Sequence, residues 1–136
     1  MSSLSRQFND YLRRIAAQFG LNDLALDETG FCALELTDLH LQINIELIRD
    51  EIFCLHADLG EYYQREESKL FAMLLMANLY GRETDGATLA IDQTRRQIVL
   101  CTTRRTQEIR DFPQFQGMLE VFIDTAARWA ERIDQF

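Results

Sequence analysis

The stretch KLFAMLLMANLYGRETDGATLAID, residues 69–92, decides the fold. Within it, Phe71 to Ala77 is a run of seven apolar residues rich in the strong helix formers Leu, Met and Ala, so it reads as helix and not as strand. A helix with one wet face would carry polar side chains every three or four positions. Between Lys69 and Tyr80 the only one is Asn78. One face is therefore expected to pack inside the chain's own core and another against a second copy. Glu66 and Glu67 suit the positive end of the helix dipole, and Gly81 can take the left-handed conformation that ends a helix. Asp85-Gly86 then makes a turn, and Ala87 to Asp92 reads as a strand.

Upstream, Leu4, Phe8, Tyr11, Leu12, Ile15 and Phe19 recur at helical spacing, with Ser2, Ser3 or Ser5 as the cap and Gly20 closing the run. Residues 21–29 form a connector of mixed polarity. Three strand candidates follow from Gly30: Phe31 to Leu36, Leu39 to Ile48 and Ile52 to Leu59, with Thr37-Asp38 and Arg49-Asp50 as tight hairpin turns. Leu39, Leu41, Ile43, Ile45 and Leu47 alternate with His40, Gln42, Asn44 and Glu46, and Phe53, Leu55, Ala57 and Leu59 continue the apolar face against Cys54, His56 and Asp58. This is an antiparallel sheet with one dry and one wet face, and helices must cover the dry one. Residues 60–65 lead into the central helix.

Downstream, Ala87 to Asp92 and Gln97 to Thr103 read as two strands. Asp111 looks like an N-cap, with Gln114 placed for a capping box and Pro113, the only proline, in the tolerant first turn. Phe115, Met118, Leu119, Phe122, Ile123, Ala126, Trp129 and Ile133 then supply the stripe of a last helix. The fold class is α+β, a single antiparallel sheet with helices packed on it in the order α-β-β-β-α-β-β-α.

A chain of 136 residues makes one domain, 1–136, with a surface fraction that dimerisation would help to bury. Apolar residues at 47% and charged residues at 26% are ordinary globular composition and exclude a largely disordered chain. The net charge of −8 opposes binding to a nucleic-acid backbone and is compatible with a basic or polar polypeptide partner or with a merely solvated surface. The start of the chain is polar and no apolar run approaches bilayer-spanning length, so a cytoplasmic protein without membrane insertion is expected. Cys32, Cys54 and Cys101 are expected to be reduced, small and apolar in role.

The pattern Leu74-Leu75-x-Ala77-Asn78-x-x-Gly81-x-x-Thr84-x-Gly86-Ala87-x-Leu89-x-x-Asp92 resembles that of class I type III secretion chaperones, the family typified by the Tir chaperone of Gram-negative pathogens. Phe115-x-x-x-Leu119-x-x-Phe122-x-x-x-Ala126-x-x-Trp129 is similar to that family's last helix. The resemblance implies a cytoplasmic homodimer that binds the N-terminal chaperone-binding region of one or more secreted effectors, keeping it extended, soluble and ready for export, with the secretion ATPase as a further partner. It places the dimer interface at the second helix and neighbouring strand: Met73, Leu74, Ala77, Asn78, Tyr80, Ala87 and Leu89. It places effector-binding grooves between Phe8, Tyr11, Leu12 and Ile15 of the first helix and Phe31, Ala33 and Glu35 of the first strand, residues that would otherwise be plain core. In this mode backbone pairing gives affinity and side-chain pockets give selectivity. The alternative is a non-secretory regulatory or sensor domain of the same fold that binds a folded protein.

No phosphate loop, nucleophile elbow or metal-ligand spacing is present in the sequence, so neither an enzyme nor a cofactor is expected. The one acid/base or metal candidate is the pair His40 and His56, at wet-face strand positions that could approach across a hairpin. Asn78, a lone amide in an apolar helix, needs hydrogen bonds if buried: to the turn that follows, or across a dimer axis. The polar run Gly81 to Gly86 could suggest a binding loop, but it reads as a helix stop joined to a strand start.

Overall fold

The computed structural model describes residues 2–63 and 66–136. The order read from periodicity is recovered: α1 (Ser3–Phe19), β1 (Phe31–Leu36), β2 (Leu41–Ile48), β3 (Ile52–Glu61), α2 (Glu67–Asn78), β4 (Thr88–Asp92), β5 (Gln97–Arg105) and α3 (Phe112–Asp134). The strands make one antiparallel sheet in the order β1-β2-β3-β5-β4. The β4–β5 hairpin enters with β5 against β3, which leaves β1 and β4 as the two edges. The expected connector into α2 includes Gln64 and Arg65, which lie outside the described residues.

From Leu41 onward the dry face is as expected. Leu41, Ile43, Ile45 and Leu47 of β2 and Phe53, Leu55, Ala57 and Leu59 of β3 are all buried. Ile98 and Leu100 of β5 continue the layer. Over it lie α1 and α3, whose rings interlock: Phe8 stacks on Phe53 at 5.2 Å between centroids and meets Phe115 edge-on at 5.8 Å. Trp129 is also buried here.

The chain ends of the helices follow their local chemistry. Ser2 caps α1, its hydroxyl accepting from the Ser5 amide at 3.0 Å, and Gly20 closes it at φ 66°. Asp111 caps α3 by accepting from the Gln114 amide at 2.9 Å. The return arm of the expected capping box lands one residue early, Gln114 Oε1 accepting from the Arg110 amide at 2.7 Å.

Two turns depart from each other instructively. Arg49 and Asp50 do form a tight turn, with φ of 53° and 59° and the Glu51 amide donating to the Ile48 carbonyl at 3.0 Å. Thr37-Asp38 does not. A two-residue I′ or II′ hairpin turn needs positive φ at its first position, which β-branched Thr37 resists. The chain instead makes a 3₁₀ turn over Thr37–Leu39, and His40 takes the left-handed conformation at φ 55°. Leu39 and His40 are therefore not in β2, and Leu39 is 44% exposed where burial was expected.

All three cysteines are free thiols. Cys32 is buried on the dry face, while Cys54 and Cys101 are half-buried neighbours on the wet face of β3 and β5. Desolvation raises all three, Cys54 to about 11, where the negative charge that Cys101 and Glu46 would carry adds to the effect. The folded chain then holds more protons than the unfolded chain from about pH 9, the ordinary thiol value, up to about pH 11, so stability should fall as pH rises through that window. Thermal melts at pH 8, 9, 10 and 11 should show that loss, and a Cys54→Ala, Cys101→Ala variant should show less of it.

Candidate functional site

Two surfaces stand out, one on α2 and one on β1. Leu70, Leu74 and Ala77 turn α2 towards the core and are buried. The opposite face is apolar and open: Leu75 is 71% exposed, Met76 68%, Leu79 58% and Tyr80 81%, with Arg82 over the Tyr80 ring. Of the residues expected at a dimer seam, Leu74, Ala77, Ala87 and Leu89 are buried within the chain, Met73 and Asn78 are half-buried, and Tyr80 is open. The correction is one of phase. A helix apolar on all sides gives no periodic signal for which face looks inward, and the open face is centred on Leu75 and Leu79.

Asn78 has a specific task. Its side-chain amide donates to the Leu89 carbonyl and accepts from the Leu89 amide, both at 2.8 Å. Those backbone groups point away from β5, so Asn78 stands where the next strand would and blocks the β4 edge at Leu89. Its partner is the strand β4 and not the turn between. Asn78→Ala should lower stability by about 2 kcal/mol, a Tm drop of roughly 5–8 °C, because both Leu89 groups lose their partner. Calorimetry checks this.

The loop Gly81 to Gly86 is likewise spent on structure. The indole of Trp129 donates to the Glu83 carbonyl at 2.8 Å. Asp85 accepts from Thr125 at 2.8 Å and from Arg128 at 2.6 Å. The buried Thr84 hydroxyl donates to the Ala87 carbonyl at 2.6 Å. Gly81 and Gly86 both have positive φ, and a Cβ on Gly81 would sit 3.1 Å from the Gly86 Cα. These contacts account for Gly81, Thr84 and Gly86 at their spacing in this chain, with α3 packed on top.

At the other edge, the Leu47 amide donates to the Gly30 carbonyl at 2.8 Å, which fixes the phase of the β1–β2 ladder. Gly30, Cys32, Leu34 and Leu36 face β2 with their backbone groups, and Phe31, Ala33 and Glu35 face outward. Phe31 is closed off by Asp27, whose amide donates to the Phe31 carbonyl at 2.8 Å and whose carboxylate accepts from the Phe31 amide at 3.1 Å. Hydrogen bonds from Thr29 and Phe31 also hold the Asp27 carboxyl below its ordinary pKa. Ala33 and Glu35 remain as an open backbone window. The side chains expected to line a groove beside it do not: Phe8, Tyr11, Leu12 and Ile15 are 5% exposed or less. Their helical spacing serves the core, while Phe31 and Ala33 are half-buried and Glu35 is exposed.

The two histidines do not meet. His56 lies opposite Asn44 in the β2–β3 register, four residues from His40 in its turn. His56 Nε2 is 3.4 Å from Glu46 Oε2, and its Nδ1 is 3.4 Å from the Asn44 amide. Among the described residues no group of three or more His, Cys, Asp or Glu could hold a metal ion, and no helix is long and apolar enough to cross a membrane.

A sheet with one edge blocked by a side chain, one edge partly open, and an uncovered apolar helix face has the surfaces of a polypeptide-binding protein. The profile of the Tir chaperone protein (CesT) family matches residues 10–130, and the chain belongs to that family. A Chlamydia pneumoniae protein designated CPj0713/CpB0740 is 24% identical over 120 residues, covering 87% of this chain and 89% of that protein. A chain of the crystal structure of the ExsC–ExsE complex matches with a TM-score of 0.77 at 20% identity, covering 96% of both chains. A chain of the HopA1–SchA chaperone–effector complex matches with a TM-score of 0.70 at 14% identity, over 96% of this chain and 98% of that one. The resemblance to type III secretion chaperones read from residues 74–92 and 115–129 is thus borne out, and the α+β fold is shared.

Proposed function

We propose that two copies of this chain pair through the open face of α2 and together hold the N-terminal segment of a type III secreted effector, soluble and extended, in the cytoplasm of a Gram-negative bacterium. The observation that carries the reading is the open backbone window at Ala33 and Glu35 on the β1 edge. A strand laid there gains backbone hydrogen bonds from any sequence, and side-chain contacts beside it select among sequences. Bound in this way, the segment cannot complete its own collapse, so it stays threadable. Release then needs a downstream unfolding machine such as the secretion ATPase and no chemistry within the chaperone. The family is one of chaperones, and the HopA1–SchA structure is described as a chaperone–effector complex, which supports the same assignment here.

The test is affinity capture from the native bacterium under secretion-inducing conditions, followed by light scattering and limited proteolysis of the purified complex. Two copies of the chain with one partner, protected from protease only in the partner's N-terminal region, is the expected result. A folded cytosolic partner protected elsewhere would replace the export reading with that of a regulatory domain.

A further inference from the structure

Where α1 ends, α3 continues, and between them and the end of β1 lies an open cleft of about 470 Å³. Its floor is apolar, made by Leu36, Ile123 and Ala127, with Phe19 and Leu39 at the mouth. Its walls are acidic: Glu35 and Asp38 on the β1 side, Glu120 and Asp124 on the α3 side. No Lys, Arg or His lines it. Asp124 is 3.4 Å from the Arg128 guanidinium, and Glu120 accepts from Gln116 at 3.1 Å. Glu35 and Asp38 take part in no ion pair among the described residues.

We propose that this cleft seats an apolar side chain of the bound segment flanked by Lys or Arg, which makes apolar–basic peptide the preferred client chemistry. The inference rests on the strand-addition reading above. Glu35 belongs to both features, being the last open backbone position of β1 and part of the cleft wall, so a strand paired at Ala33 and Glu35 runs directly to the mouth. Its leading apolar side chain then loses water against Leu36 and Ile123. Four carboxylates around a low-dielectric floor make the rim strongly negative, and flanking cations complement it. Flanking Asp or Glu would add like charges to it.

The test uses three fluorescein-labelled synthetic peptides with one apolar strand-forming centre and flanks of Lys, Gln or Glu, titrated by fluorescence anisotropy. At 50 mM NaCl the Lys-flanked peptide should bind about tenfold tighter than the Glu-flanked one, and the gap should shrink at 500 mM. Glu35→Gln with Asp38→Asn should narrow the gap to about threefold or less. Ile123→Asp should weaken the Gln-flanked peptide about tenfold, by removing apolar contact. Melting curves establish that each variant is folded. Equal affinity for all three peptides, or an undiminished gap in the Glu35→Gln, Asp38→Asn variant, overturns the cleft assignment. So does conversion of a dimer to monomer by Ile123→Asp, which would give the cleft to a second copy. If those failures occur while Ala33→Pro still abolishes binding, the strand-addition reading stands without the cleft. Binding unaffected by Ala33→Pro, or no binding of any peptide, removes both.

Discussion

Leu75→Asp should yield a folded monomer, and Leu74→Asp, one residue earlier, should yield an unfolded or aggregated chain. The two leucines differ only in the direction they face: Leu74 is 3% exposed and Leu75 is 71% exposed. A carboxylate at position 74 would be forced into the layer between α2 and β4 with no partner. That costs several kcal/mol from a total stability of about 5–15 kcal/mol. At position 75 the carboxylate faces water in the isolated chain, so the melting temperature should change little. In the proposed dimer it places a charge within the apolar face made by Leu75, Met76, Leu79 and Tyr80. Burial of an unpaired charge at the centre of that contact should weaken the dimer about a hundredfold or more. Light scattering at micromolar concentration measures the first outcome and circular dichroism the second. A stable dimer in the Leu75→Asp, Leu79→Asp double variant would remove this face from the interface.

The second large effect concerns Ala33. Proline there removes an N–H that points away from β2, so the sheet's own ladder keeps its bonds. The chain should fold and dimerise. Its client should bind about a hundredfold more weakly, since the docking strand loses a donor and meets the pyrrolidine ring at the centre of the open window. Leu34→Pro is the control. Its N–H faces Ile43 of β2, and the same substitution one residue on should destabilise the sheet itself. Isothermal titration with the client's N-terminal fragment separates the two. Unchanged affinity for Ala33→Pro would move the client elsewhere on the molecule.

Both predictions turn on side-chain phase, and phase marks how far the sequence could be read. On β2, apolar and polar residues alternate, so the dry face could be assigned residue by residue from Leu41 to Leu47, and the structure agrees. On α3 the apolar stripe from Phe115 to Ile133 did the same at helical spacing. On α2 nearly every position is apolar, so its helical nature was evident while its orientation was not. Leu74, Ala77 and Leu89, expected at a seam, are buried within the single chain.

The first helix failed in the opposite way. Phe8, Tyr11, Leu12 and Ile15 have the spacing of a buried stripe, and a buried stripe is what they are; their assignment to a groove came from the resemblance. The acidic cleft joins residues 19, 36, 123 and 127 through tertiary packing, and no local pattern announces such a meeting. Asn78 was legible as an amide that needed partners, but its partner, the backbone of Leu89, depends on how β4 docks.

Asn78 carries one more consequence, for assembly in bulk. Growth of stacked sheets into a fibre is a head-to-tail process: every added copy must accept on one side and offer on the other. With Leu89 already bonded by a side chain, a copy that docked through its β1 window would present little edge for the next. Edge pairing between molecules would stop at the first contact, so a binding edge can stay exposed at high concentration without seeding polymer.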